Sequence, residues 1–280
     1  MDGLEEQIRQ GTLDRPGKRR LGKRVLILAA IVAVLLAATA VSMDFWNVRV
    51  EDVLVGQESS SYRVNGEIPV IPLESFSDEV ASAMEDVSQK MEEQDLYLNS
   101  SPGYWLRTFD RWADCEEFIG FPLNNPLEKS SLLETANYFA IAQDAETLNE
   151  ESQRHCAVAL QGNIKGELQH VTIDTGYLMG PIRIQMTVSL YPEGSGMEPG
   201  TGGSWNGEAE FEITSGVTGE GIPYTLVVSE TPESDYYNDF SSADAYFVLK
   251  NGLYTLDAVS PGRDSGADAK AALEELLALF

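Results

Sequence analysis

The longest apolar run of the chain extends from Val25 to Met43 and contains no charged residue. As a helix with a rise of ~1.5 Å per residue it spans about 28 Å, close to the ~30 Å hydrocarbon core of a bilayer. The run therefore predicts a transmembrane helix. Seven basic and four acidic residues precede it, and Asp44 follows it. Because basic residues stay on the cytoplasmic side, residues 1–24 are predicted to form a cytoplasmic tail and the remainder to be exported.

A cleavable signal peptide is the competing interpretation of this run. Ala38-Thr39-Ala40 fits the small-x-small pattern of a cleavage site. However, the apolar residues continue past that site to Met43, and residues 1–24 are long for the charged region of a signal peptide. We therefore favour an uncleaved anchor, and both interpretations export the bulk of the chain.

The polar and apolar positions after the anchor predict strands first and then helices. Residues 44–75 form a membrane-proximal segment whose loose alternation indicates one or two short strands. Helical spacing then predicts helices over 77–94, 111–119 and 267–280. Their apolar stripes are Val80, Ala83, Met84, Val87 and Met91; Trp112, Cys115, Phe118 and Ile119; and Ala269, Leu273, Leu276, Leu277 and Phe280.

From about Gln153 the apolar period changes to two, which is typical of half-buried strands. Strands are predicted over 182–190, 208–213, 224–229 and 245–250, and Asn251-Gly252 favours a tight hairpin turn into 253–259. Because strand follows strand directly, the sheet should be mainly antiparallel. The predicted fold class is therefore α+β, with a single N-terminal transmembrane helix and an exported domain over 76–280 in which helices cover the sheet.

The net charge of the chain disfavours some classes of binding partner. The chain holds 45 acidic and 19 basic residues, a net charge of −26, and the basic residues concentrate in the tail. Such a charge repels nucleic acid and anionic lipid, so nucleic-acid binding is disfavoured. A solvated acidic surface is favoured over a cation site, because the acidic residues, including those over 230–239, lack the spacing of a calcium loop.

The two cysteines, Cys115 and Cys156, both lie in the predicted exported part. Exported cysteines can form a disulfide, and a bridge closing a loop of about 40 residues would contribute roughly 3–4 kcal/mol. Each cysteine is equally well interpreted as a small buried hydrophobe. Both interpretations stay open.

Two histidines, His155 and His170, are candidates for chemistry, but neither stands in a zinc-binding or HExxH pattern. His155 directly precedes Cys156, and neighbouring side chains on a strand point to opposite faces, which argues against a nucleophile–base pair. A pair between Cys115 and one histidine is left open. The glycine-rich stretch 194–203 lacks the ending of a phosphate loop and predicts a flexible connection. We therefore assign no catalytic, cofactor-binding or metal residue and expect no cofactor.

About the last two-thirds of the chain resembles a known group. The ending NGLYTLDAV followed by DAKAALEELLALF, and the segment RWADCEEFIGFPLNNPLEKSSLLE from Arg111 to Glu134, resemble exported domains of unknown function in Gram-positive, clostridial-type single-pass membrane proteins. The resemblance implies an uncharacterised membrane protein of the kind often associated with extracytoplasmic-function sigma factors.

The expected function is that of a membrane-anchored, exported interaction or sensory domain without catalytic activity. Its expected partners are the bilayer, through residues 25–43, and an extracytoplasmic protein or ligand. Two alternatives are an anti-sigma-like membrane regulator, which the resemblance implies, and an exported hydrolase that uses Cys115, His155 or His170 with a carboxylate.

Overall fold

A computed structural model describes residues 48–56, 59–93, 104–138, 154–163, 165–197, 199–206, 210–230, 240–250, 252–262 and 265–280. The chain divides into two units, Met1–Phe45 and Trp46–Phe280, and all the described residues belong to the second unit. The predicted tail and transmembrane helix lie outside the described residues. Within these ranges, no helix combines the length and the apolar character needed to cross a membrane.

The second unit contains thirteen described strands and three described helices, an α+β arrangement dominated by antiparallel pairing, as the sequence predicts. The strands are β1 Arg49–Val55, β2 Ser59–Asn65, β3 Val70–Ile71, β4 Tyr104–Phe109, β5 Glu134–Ala136, β6 Cys156–Gly162, β7 Leu168–Met179, β8 Ile182–Pro192, β9 Thr201–Asn206, β10 Glu210–Val217, β11 Pro223–Glu230, β12 Phe240–Leu249 and β13 Gly252–Pro261. The helices are α1 Asp78–Glu93, α2 Trp112–Ile119 and α3 Gly266–Leu277.

The main sheet runs in the order β10-β11-β12-β13-β8-β7-β6-β4, and β5 pairs with β7. These neighbours are antiparallel, whereas the short β3 pairs with β8 in parallel. A smaller sheet has the order β1-β2-β9. Residues 49–71, which the sequence predicts as a membrane-proximal segment, thus contribute strands to both sheets of the folded unit.

The helices cover one face of the main sheet and form the large core there. Alternation in β8 directs Ile184, Met186 and Val188 into this core, where each is fully buried. Helix α3 packs on β11, β12 and β13, and Phe280 meets the rings of Phe247 and Tyr254 edge to face. The three predicted helices are confirmed, and the apolar stripe predicted for the last one is buried throughout.

The smaller sheet packs on the opposite face of the main sheet and forms a second core. Tyr62 and Val64 of β2 contact this core together with Tyr191, Val227 and Tyr246 of the main sheet. The Val48 carbonyl, just before β1, accepts a hydrogen bond from the Thr225 hydroxyl of β11. The main sheet is therefore covered on both faces, and polar groups on its second face are drawn away from water.

Candidate functional site

Cys115 and Cys156 meet where α2 packs over β6. Both are free thiols with 0% exposure, and each thiol shifts the pKa of the other. Helix α2 positions Cys115 because Trp112, Cys115, Phe118 and Ile119 share its buried face. The predicted pair is thus brought together from positions 41 residues apart in the numbering. Whether a disulfide joins the two sulfurs stays a prediction.

His155 lies beside this thiol pair, contrary to the expectation from strand alternation. The residue occupies a bend immediately before β6, so the alternation that governs the strand does not fix its direction. The Thr175 hydroxyl of β7 lies 3.0 Å from Nε2 of His155 and 3.6 Å from Sγ of Cys156. The His155 ring and the Cys156 sulfur thus share the Thr175 hydroxyl as a neighbour. The two neighbours therefore join in one polar network.

Both ring nitrogens of His155 face acceptors that carry no proton of their own. Nδ1 lies 2.9 Å from the Ala136 carbonyl oxygen, and Nε2 lies 2.7 Å from Oε1 of Glu128. A carbonyl and an ionised carboxylate only accept, so each nitrogen must donate and the ring is an imidazolium. Burial by itself would lower the pKa of His155, but contacts with Cys156 and Glu128 outweigh it and raise that pKa to about 10.

Glu128 is held in place by a short turn and a tyrosine. It belongs to the 3-10 turn Pro126–Lys129, whose N-cap Asn125 accepts a hydrogen bond from the Leu127 backbone N–H. The Tyr177 hydroxyl donates to Oε1 of Glu128 at 2.9 Å and accepts from the Asn125 side-chain amide at 2.8 Å. Hydrogen bonding to His155 lowers the pKa of Glu128, in spite of burial, and Tyr177 adds to that effect.

Cys156 is the more acidic thiol of the pair. The hydrogen bond from Cys115 lowers the pKa of Cys156 to about 6, against the opposing effect of burial, and the contacts with His155 and Thr175 act in the same direction. The same sulfur–sulfur contact and burial raise the pKa of Cys115. The network thus runs from Cys115 through Cys156 and His155 to Glu128, and its contacts favour the thiolate form of Cys156 beside a protonated His155. A thiolate beside an imidazolium is the chemistry of an activated cysteine.

His170 lies elsewhere and joins neither cysteine. Along β7 its side chain alternates with Thr175, which places it on the face opposite Cys156, stacked on Tyr191 with ring centroids 4.8 Å apart. Burial lowers the pKa of His170 to about 4, so this ring is neutral. The pair between Cys115 and a histidine that the sequence leaves open is therefore not formed with His170.

Sequence reasoning names three members of the network and misses Glu128, Thr175 and Tyr177. The turn chemistry of Asn125-Pro126 places Glu128, but no spacing relates that turn to His155 before the fold is known. Across the described part of the chain, no group of three or more histidine, cysteine, aspartate or glutamate side chains is arranged to hold a metal ion.

Comparisons with known proteins add no relative: no family model, no curated protein and no solved structure matches this chain.

Proposed function

We propose that the chain is a single-pass membrane protein whose exported α+β domain acts in sensing or binding and not in catalysis. The main support for this proposal is that the cysteine and histidine side chains of the network are buried and that Cys156 and His155 already have hydrogen-bond partners within the domain. Both sulfurs have 0% exposure, and both nitrogens of His155 are engaged by Ala136 and Glu128. A substrate carbonyl would have to reach a sulfur that lies beneath α2. We therefore interpret the network as a cross-link between elements of the domain.

The membrane anchor in this proposal is inferred from the sequence of residues 1–43. Labelling of introduced cysteines from one side of the membrane tests it. Ser82 is exposed on α1, so a thiol introduced there should react with a membrane-impermeant maleimide in intact cells. A thiol introduced at Gln10 should react only after the membrane is opened. The native thiols are fully buried and should leave the background low. The reverse labelling pattern would overturn the orientation, and recovery of a chain that lacks the first 40 residues would indicate cleavage.

An exported hydrolase is the second candidate, and the thiolate–imidazolium contact between Cys156 and His155 favours it. The test compares the full-length protein with Cys156→Ala and His155→Gln variants on a panel of ester and peptide substrates. We expect equal, background rates and no modification of the native thiols by iodoacetamide at neutral pH. Turnover that disappears in both variants would replace our first proposal with this one.

An anti-sigma-like role is supported by the resemblance over about the last two-thirds of the chain, not by the geometry of the site. The cytoplasmic tail would then be the part that meets a cytosolic partner, although 24 residues are short for a folded domain. Co-purification of a sigma factor with the full-length protein, lost when residues 2–20 are deleted, would favour this role. Equal recovery of the factor without the tail would count against it.

A further inference from the structure

A second set of buried ionisable groups lies on the face of the main sheet that the helices do not cover. Asp244 of β12 and Asp257 of β13 are directly opposite each other in the hairpin register, so their side chains are neighbours on this face. Asp244 is only 8% exposed, and Asp257 is half-buried. Two carboxylates held side by side and partly shielded from water repel each other, and a proton on one of them removes that repulsion. The arrangement therefore favours a protonated partner for Asp244.

The smaller sheet reaches this pair through one side chain. The Tyr62 hydroxyl of β2 donates to Oδ2 of Asp244 at 3.1 Å, and its oxygen lies 2.6 Å from the Tyr246 hydroxyl oxygen. Tyr62 also packs edge to face on Phe211, with ring centroids 5.4 Å apart. Tyr62 thus makes both a polar and an apolar contact between the two sheets. The polar contact is its hydrogen bond to Asp244, which depends on whether the pair of Asp244 and Asp257 holds a proton.

We propose that the Asp244–Asp257 pair is a proton-dependent latch that fastens the three-stranded sheet to the main sheet. With one proton shared, Asp257 donates to Asp244, and Asp244 also accepts from Tyr62. When that proton is lost, the two adjacent carboxylates repel each other and attract water to the face that Tyr62 covers. The smaller sheet, β1-β2-β9, then opens more readily from the second core.

The groups around the pair act on its proton in both directions: the charge of Asp174 favours retention, and the hydrogen bond from Tyr62 to Asp244 opposes it. Among the described residues, Tyr62, Tyr246 and Asp174 are the titratable groups that face it, and Asp174 of β7 accepts from Thr187 and Gln185 of β8. Arg183 lies on the same face of β8, opposite Val259 of β13. Burial raises the pKa of Asp244, and burial together with the charge of Asp244 raises the pKa of Asp257. The latch should therefore release as pH rises, not as it falls.

Hydrogen exchange of the full-length protein in detergent micelles tests the latch. Exchange of peptides covering β2 and β9 is compared with that of peptides covering β8 from about pH 5 to about pH 9, at labelling times adjusted for the intrinsic rate. Opening linked to the loss of one proton changes by up to about tenfold per pH unit. We expect protection of β2 and β9 to fall at least about tenfold across this range relative to β8.

Asp257→Asn supplies a permanent donor to Asp244 and should keep β2 and β9 protected at every pH. Asp268→Asn, the same change at an exposed position of α3, should retain the pH dependence of the unaltered protein. Infrared spectroscopy of the unaltered protein gives a readout that does not depend on a variant's folding: a protonated-carboxyl band should persist at neutral pH. Absence of that band, or a pH dependence of β2 protection that is the same in Asp257→Asn, would overturn the latch.

Discussion

His155 and Glu128 are joined by a 2.7 Å contact between an imidazole nitrogen and a carboxylate oxygen, although 27 positions separate them in the chain. The contact connects the 3-10 turn after α2 to the bend that starts β6. Because Nδ1 of the same ring also reaches the Ala136 carbonyl of β5, one side chain ties three separate segments together. The histidine is thus better understood as a structural cation than as a base waiting for a substrate.

Replacing Glu128 with glutamine should therefore destabilise the domain. The neutral amide keeps the shape but removes the charge that His155 faces, and we expect the free energy of unfolding to fall by about 1–3 kcal/mol. Urea unfolding of the full-length protein measures this loss. The matched control is Glu134→Gln on β5, where the side chain is exposed, and it should change stability by less than about 0.5 kcal/mol.

The free energy of unfolding that is lost in the Glu128→Gln variant should depend on pH, and the pKa shifts of the two residues give the direction. The pKa of His155 is raised, so its contribution is complete below the ordinary histidine value and is lost as pH rises through about 10. The pKa of Glu128 is lowered, so its contribution is complete above the ordinary glutamate value and is lost as pH falls below that value. The gap in the free energy of unfolding between the two proteins should therefore be widest between the ordinary glutamate and histidine values, from about pH 5 to about pH 6. A gap that grows toward pH 10 would contradict the ion pair.

The two cysteines should form a disulfide when the protein is isolated from an oxidising compartment. Both thiols are fully buried in one core, where α2 packs on β6, so the fold brings the two cysteines together. Mass mapping of the unreduced protein should recover Cys115 and Cys156 in one linked peptide pair, and reduction should lower the free energy of unfolding by roughly 3–4 kcal/mol. Two free thiols in such a preparation would exclude the bridge and leave the thiolate network as the native state.

Asp257→Asn should stabilise the domain most at high pH. An acid whose pKa is raised in the folded protein contributes most below its ordinary value, and that contribution is lost as pH rises through the folded value. The amide donates to Asp244 without titrating, so it avoids this loss. Thermal unfolding at about pH 5 and about pH 8 should show a larger gain in melting temperature at the higher pH. An equal loss at both values would mean that the Asp257 carboxyl stabilises the fold through a contact other than the shared proton.

Elements that rest on local patterns could be predicted from the sequence. Helix α2 is an example: Trp112, Cys115 and Phe118 repeat with helical spacing, and Gly120 follows in the left-handed region at φ 101°. A Cβ at Gly120 would lie 2.8 Å from the Ser77 backbone nitrogen, so the position is restricted to glycine by neighbours as well as by backbone angle. Spacing within one segment suffices for such features.

The turn between β12 and β13 was not placed correctly by its local sequence. The sequence favours Asn251-Gly252 as the turn, but the register pairs Leu249 with Gly252, so the loop is one residue earlier and Lys250 takes φ 53°. Gly252 lies within β13, where a Cβ would be 2.9 Å from Val188 Cγ1, so it serves close packing on β8. With the correct loop, Asp244 and Asp257 could have been paired from sequence.

Contacts between distant segments could not be predicted at all. Tyr62 lies 182 positions from Asp244, and His155 meets Glu128 only after β5, β6 and β7 have assembled. The glycine-rich stretch predicts a flexible connection, yet Thr201 to Gly203 belong to β9. A Cβ at Gly202 would lie 2.3 Å from the Tyr62 carbonyl oxygen, so glycine at this position permits two strands to pair closely. Such a requirement comes from the partner strand, which the segment itself does not reveal.

Helix α3 offers the sharpest test of the architecture, because two leucines near its end differ in environment. Leu276 is fully buried against the sheet, whereas Leu279 is 38% exposed. Leu276→Ala should lower the free energy of unfolding by about 2–5 kcal/mol, and Leu279→Ala should cost well under half of that. A domain's net stability is only about 5–15 kcal/mol, so deletion of residues 267–280, which removes Leu273, Leu276 and Phe280 together, should leave the protein unfolded or aggregated. Circular dichroism melts of the full-length variants measure each effect. Equal melting temperatures for the two alanine variants, or a cooperative melt of the deletion at the temperature of the intact protein, would show that α3 is a peripheral tail.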